Sequence, residues 1–119
     1  MCISLFRNMQ QKKKMMSDPQ VEEAARLFGI LSDSSRLKLL RALMTEPLTV
    51  SELIEATSMK QGNVSKHLGV LLSARFVARE REGNFARYSL SDPKVYDLCD
   101  LMCKRIAEDA HQRIRDLTR

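Results

Sequence analysis

Thr49-Val50-Ser51-Glu52-Leu53-Ile54-Glu55-Ala56-Thr57-Ser58-Met59-Lys60-Gln61-Gly62-Asn63-Val64-Ser65-Lys66-His67-Leu68-Gly69-Val70-Leu71-Leu72 is the stretch whose reading decides the fold. Its opening has capping-box spacing: a Thr hydroxyl and, three positions on, a Glu carboxylate each satisfy a free backbone donor at a helix start. Leu53, Ile54 and Ala56 follow as a short apolar set, which predicts a helix over about 50–57. After the polar break at Thr57-Ser58-Met59-Lys60, Val64, Leu68, Leu71 and Leu72 recur at helical spacing and point to a core. Gln61, Asn63, Ser65, Lys66 and His67 lie largely on other faces. Two short helices separated by about three residues form a helix-turn-helix unit.

Working outward, Val21, Ala24, Ala25, Leu27, Phe28 and Leu31 make one face of an earlier helix. Ser32-Asp33-Ser34-Ser35 offers side-chain oxygens to cap the next, whose apolar set is Leu37, Leu39, Leu40, Leu43 and Met44 and which Pro47 closes. Beyond the helix-turn-helix the period drops from 3.6 to about 2. Residues 76–81 and 85–90, joined through Glu82-Gly83-Asn84, read as a β-hairpin. Ser91-Asp92-Pro93 then starts a long helix striped with Val95, Leu98, Cys99, Met102, Cys103, Ile106, Ala110, Ile114 and Leu117. A helix of this length at the end of a small domain finds part of its burial in a second chain. Gly62 sits where a backbone meets a partner closely or where a first turn simply tolerates glycine, and Gly69, mid-helix, is read as relieving packing.

The expected fold is therefore mostly α with a small β-hairpin wing, in the order α-α-α-α-β-β-α. Residues 1–18 show no period and carry Lys12-Lys13-Lys14, so they read as a flexible basic arm; residues 19–119 form the single domain. Composition agrees, since 119 residues suit one core and four Gly, three Pro and no Trp favour helices over a large sheet. No apolar run approaches the roughly 18 residues of a membrane helix. Two His, no glycine-rich phosphate loop and no nucleophile–base pattern leave catalysis without support, so no enzyme is expected. Three cysteines, an odd count, and no leader-like opening point to a reducing cytoplasm.

The net charge of +5 is unevenly spread. Residues 60–90 hold Lys60, Lys66, Arg75, Arg79, Arg81 and Arg87 against only Glu80 and Glu82, so the excess coincides with the second helix and the hairpin. That coincidence points to double-stranded DNA as partner. The amides of Gln61 and Asn63 suit adenine edges, Lys66 and His67 can donate to guanine or phosphate, and Ser65 can serve either. Arg81 and Arg87 flank the hairpin tip, where guanidinium groups neutralise phosphates; Arg79, on the same face as Arg81, reads equally as a solvated strand residue. The rival reading is a winged-helix module that docks other proteins without specific DNA binding.

Leu31-Ser32-Asp33-Ser34-Ser35-Arg36-Leu37-Lys38-Leu39-Leu40, followed by Val64-Ser65-Lys66-His67-Leu68-Gly69-Val70-Leu71 and the 81–90 wing, resembles the ArsR/SmtB family of winged-helix bacterial repressors over roughly residues 20–115. The resemblance implies a homodimer paired through terminal helices, a palindromic operator, and repression relieved when a small inducer binds. The family's usual zinc sites are not expected. Thr49-Val50-Ser51-Glu52-Leu53 replaces a Cys-Val-Cys-Asp-Leu pattern, and Lys94 and Arg105 stand where the terminal helix of metal sensors carries histidine. Lys60 also takes the place of the family's usual capping Ser. Cys99 and Cys103, four apart on one helical face, are the candidate sensor residues, for a soft metal or a thiol-reactive species. Equally, they are small hydrophobes in an apolar stripe.

Overall fold

The computed structural model describes residues 15–118. Eight elements follow in order: α1 (Asp18–Leu31), α2 (Ser34–Leu43), β1 (Leu48–Thr49), α3 (Val50–Thr57), α4 (Gln61–Ser73), β2 (Val77–Glu82), β3 (Phe85–Leu90) and α5 (Pro93–Leu117). Most of the basic arm expected over residues 1–18 lies outside the described residues. At its end, α1 begins at Asp18, three residues before the apolar period that predicts it. Ser17 and Gln20 form a capping box there, with N–H to oxygen distances of 2.9 and 3.3 Å, and Pro19 fits the first turn.

The other helix starts are equally local in origin. Asp33 accepts from the amides of Ser35 and Arg36 at 2.8 and 3.2 Å to open α2. Thr49 and Glu52 complete their reciprocal box at 2.9 and 3.3 Å to open α3. Asp92 accepts from Lys94 at 2.7 Å, with Pro93 behind it, to open α5. Ser58 turns the chain from α3 into α4 in the left-handed region, at φ 60°. The end of α4 is a Schellman motif: Phe76 N–H donates to Leu71 O and Arg75 N–H to Leu72 O, with Arg75 at φ 64° where glycine is usual.

The hairpin turns through Gly83 and Asn84, and Gly83 at φ 60° takes the first central position, which a type II′ turn reserves for glycine. A third strand was not foreseen. Leu48 and Thr49 pair antiparallel with Tyr88 and Arg87, so the sheet order is β1-β3-β2. Two residues are too short to show an alternating period, which is why β1 left no trace in the pattern.

Leu39 and Leu40 of α2, Leu53 of α3, and Val64, Leu68 and Leu71 of α4 are all but inaccessible to solvent. Phe76, Val77, Tyr88 and Val95 close this core from the sheet and the start of α5. The two outer helices contribute little to it. No residue of α1 is fully buried, and Val95 is the one buried residue of α5. Ile106 is 62% exposed and Leu117 85%. The radius of gyration is 18.1 Å, well above the ~13 Å of a compact domain this size. No helix among the described residues is long and apolar enough to cross a membrane.

Gly69 departs from its expected role, because a Cβ built there meets no atom within 4 Å; the residue is exposed and relieves no crowding. Its cost to α4 is then only the entropy of a glycine in a helix. Gly69→Ala is expected to stabilise the fold by about 1 kcal/mol, measured as a raised urea midpoint with unchanged m-value.

Candidate nucleic-acid interface

The orientation of α4 follows from its inward stripe. Val64, His67, Leu68 and Leu71 are buried at positions i, i+3, i+4 and i+7, so Gln61, Gly62, Asn63, Ser65 and Lys66 face outward and are exposed. Lys60 precedes the helix with no side-chain capping bond. The first turn of α4 therefore offers free backbone donors and the positive end of its dipole beside this polar row.

His67 is a correction to the sequence reading. It is only 9% exposed and belongs to the inward stripe rather than to the polar face. Its Nδ1 accepts a hydrogen bond from Arg36 Nε at 3.2 Å, which requires the imidazole to be unprotonated at that nitrogen. Arg36 Nη1 in turn donates to the Ile30 carbonyl oxygen at 3.1 Å. One guanidinium thus joins the end of α1, the start of α2 and the middle of α4. His67 helps to set the seat of α4, turned toward the core and away from the polar row. Helical spacing does put residue 67 with Val64 and Leu71, but its polarity and the lack of any visible partner hid that placement.

On the wing, Arg81 is exposed on the strand face it shares with Arg79, as the alternation indicates. Arg87 has partners within the chain that the sequence reading does not name. Its guanidinium binds Glu82 through Nε, and its Nη1 donates to Glu52 Oε1 at 3.3 Å and to the Pro47 carbonyl at 3.4 Å. The β1–β3 pairing, which sets Thr49 opposite Arg87, brings the guanidinium to the start of α3. Arg87 therefore braces the wing against the helix-turn-helix. The Glu82 partner is legible five residues away in the sequence; the Glu52 and Pro47 partners depend on the unforeseen strand. Cys99 is half-buried and Cys103 exposed, together in a groove between α2 and α5.

The exposed polar row of α4 and the braced hairpin together define a winged helix-turn-helix DNA-binding protein. The model for the arsR family of bacterial regulatory proteins matches residues 33–79, which run from the α2 cap into β2. A probable mercury resistance operon repressor of Streptomyces lividans is 36% identical over 88 residues, 74% of this chain and 70% of the relative. The crystal structure of Rv0081 from Mycobacterium tuberculosis superposes with a TM-score of 0.75 at 30% identity, over 82% of this chain and 99% of that one. A homodimeric winged helix-turn-helix DNA-binding domain from Mycobacterium bovis, solved by NMR, gives 0.69 at 27% identity, over 82% of this chain and 91% of that one. The chain belongs to the arsR family of bacterial regulatory proteins and is a DNA-binding transcriptional regulator.

The Glu52 carboxyl is held below its ordinary value of 4.5, first by the Thr49 amide and hydroxyl of the capping box and then by Arg87. A carboxyl depressed in the folded state contributes stability above its unfolded pKa and loses that contribution as pH falls through the folded value. Glu52→Gln keeps the shape and removes the charge. Between about pH 5 and pH 3 the urea midpoint of the variant is expected to fall less steeply than that of the wild type.

Proposed function

We propose that the protein is a homodimeric transcriptional repressor that reads a palindromic operator through Gln61, Asn63, Ser65 and Lys66 of α4 and grips the flanking backbone through Arg81 of the wing. The observation that carries this reading is the exposure of that row along one edge, beside a hairpin tip carrying a free guanidinium. Side-chain amides suit adenine edges, and Lys66 suits guanine or phosphate. His67 and Arg87 act one step back: the first holds the reading helix, the second the wing.

Twofold pairing is supported by the outer helices. α1 leaves Val21 and Phe28 in solvent, and α5 leaves Met102, Ile106, Ile114 and Leu117 there, at spacings that make one apolar stripe. The Mycobacterium bovis neighbour is described as homodimeric. A second copy covering this stripe would set two α4 helices about 34 Å apart, the repeat of successive major grooves on one side of a duplex. Bound in this way in the cytoplasm, the dimer blocks transcription, and an inducer releases it by favouring a geometry that spoils the spacing. The Streptomyces relative carries the name of a repressor.

The test uses a duplex with an inverted repeat, selected by the purified protein from a randomised pool and titrated by fluorescence anisotropy. Wild-type affinity is expected to fall steeply with salt; a flat response would contradict phosphate contact. Asn63→Ala combined with Lys66→Ala is expected to abolish discrimination against scrambled duplex while leaving dimer mass and helicity unchanged. Arg81→Ala should lower the salt slope by about one counterion per site. Undiminished discrimination in the α4 double variant would refute the assignment of the reading face.

A further inference from the structure

The chain holds two histidines, and the fold buries one of them. His67 shares the inward stripe of α4 with Val64, Leu68 and Leu71, and its Nδ1 accepts from Arg36 Nε at 3.2 Å. Nη1 of the same guanidinium donates to the Ile30 carbonyl at 3.1 Å, so this cation ties α4 to α2 only while Nδ1 carries no proton. Histidine is the side chain whose charge ordinarily changes between about pH 5 and pH 8. A proton at Nδ1 removes the acceptor and sets two cations side by side in a site almost closed to water, which burial makes costly.

The cap of α2 offers a counter-charge. The Asp33 carboxyl is held below its ordinary value of 3.8, first by the Arg36 amide that it caps, then by the Ser35 amide and the charges of His67 and Arg36. Its Oδ1 takes both amide bonds, which leaves Oδ2 as an acceptor. Among the described residues no carboxylate forms an ion pair with the ring. Glu52 of α3 is held by Thr49 and Arg87, and Glu23 and Arg26 of α1 bind each other. Glu55 of α3, Lys66 of α4, and Arg79 and Glu80 of β2 are exposed. We propose that Asp33, Arg36 and His67 form a proton-operated seat for the reading helix: Arg36 holds the neutral ring, and the protonated ring leaves Arg36 for the Asp33 carboxylate. One proton enters from solvent at Nδ1, and the Arg36–His67 hydrogen bond is given up. α4 then loses the tie that fixes how Gln61, Asn63, Ser65 and Lys66 are presented. The added charge alone would strengthen attachment to any duplex, so discrimination between sequences is the quantity that falls in acid. That fall rests on the repressor reading above; the exchange of partners does not.

The experiment uses the full chain carrying His111→Gln, so that His67 is its one histidine, and begins without DNA. Long-range proton–nitrogen NMR spectra of the imidazole are recorded from pH 8 to pH 5. At the alkaline end they should show Nδ1 bare and Nε2 protonated. A single protonation step should follow, at which the Arg36 Nε–H and the amides of residues 61–66 shift together. A ring that stays neutral down to pH 5, or that protonates while those signals stay in place, would overturn the switch. Asp33→Asn keeps a capping side chain and removes the charge, so it is expected to move the step to lower pH. An unmoved step would overturn the part given to Asp33. Discrimination is then read by anisotropy as the ratio of affinities for the selected operator and a scrambled duplex. It should fall about tenfold across the step. His67→Asn, whose Oδ1 accepts near the place of Nδ1 and takes no proton, should keep the ratio level, and a fall equal to that of its parent would overturn the proposal. The ring spectra need no change at residue 67, so they decide the matter even if that variant unfolds. Absence of discrimination at pH 8 would count against the repressor reading alone, since the ring spectra are recorded without DNA.

Discussion

The seating of α4 is the constraint on which the remaining structure depends. Val64, Leu68 and Leu71 are driven into the core by the removal of apolar surface from water, and His67 between them is admitted because Arg36 satisfies its ring nitrogen. A helix has one rotation about its axis to spend, so burying that stripe fixes which side chains meet solvent. Gln61, Asn63, Ser65 and Lys66 face outward as a consequence of what is hidden behind them. Interface and core are thus two faces of a single packing decision, and the capping turns at Ser58 and Arg75 fix where that helix begins and ends.

Much of this was legible before coordinates, and the reason is locality. The capping box at Thr49–Glu52 and the Asp92 cap before Pro93 act within one turn, and apolar periodicity in α2, α4 and α5 needs no knowledge of distant partners. The wing was equally plain, because a glycine-bearing tip between two alternating strands has few other readings. The departures at His67 and Arg87 share a physical cause. Each is a polar side chain whose partner lies far along the chain: Arg36 for His67, Glu52 and the Pro47 carbonyl for Arg87. Residue type alone advertises such groups as free hydrogen-bonding surface, and only tertiary contact reveals that their capacity is already used. Gly69 shows the converse, since a small residue in a helix suggests crowding where the structure has open space.

α5 is of another kind again. Its start is anchored by Val95, yet from Leu101 onward every described residue is exposed in the single chain. Mixed charges keep the helix soluble while its apolar stripe stays available, so the same sequence supplies an independent element and an adhesive one. The groove it forms with α2 is lined with sulfur at the point where the helix leaves the core.

The short strand β1 carries a mechanical consequence. By pairing with β3 and bringing Arg87 onto Glu52, it clamps the hairpin to the segment that feeds α3. In the dimer proposed above, wing and reading helix are then expected to move together, as one opens a caliper without bending its arms.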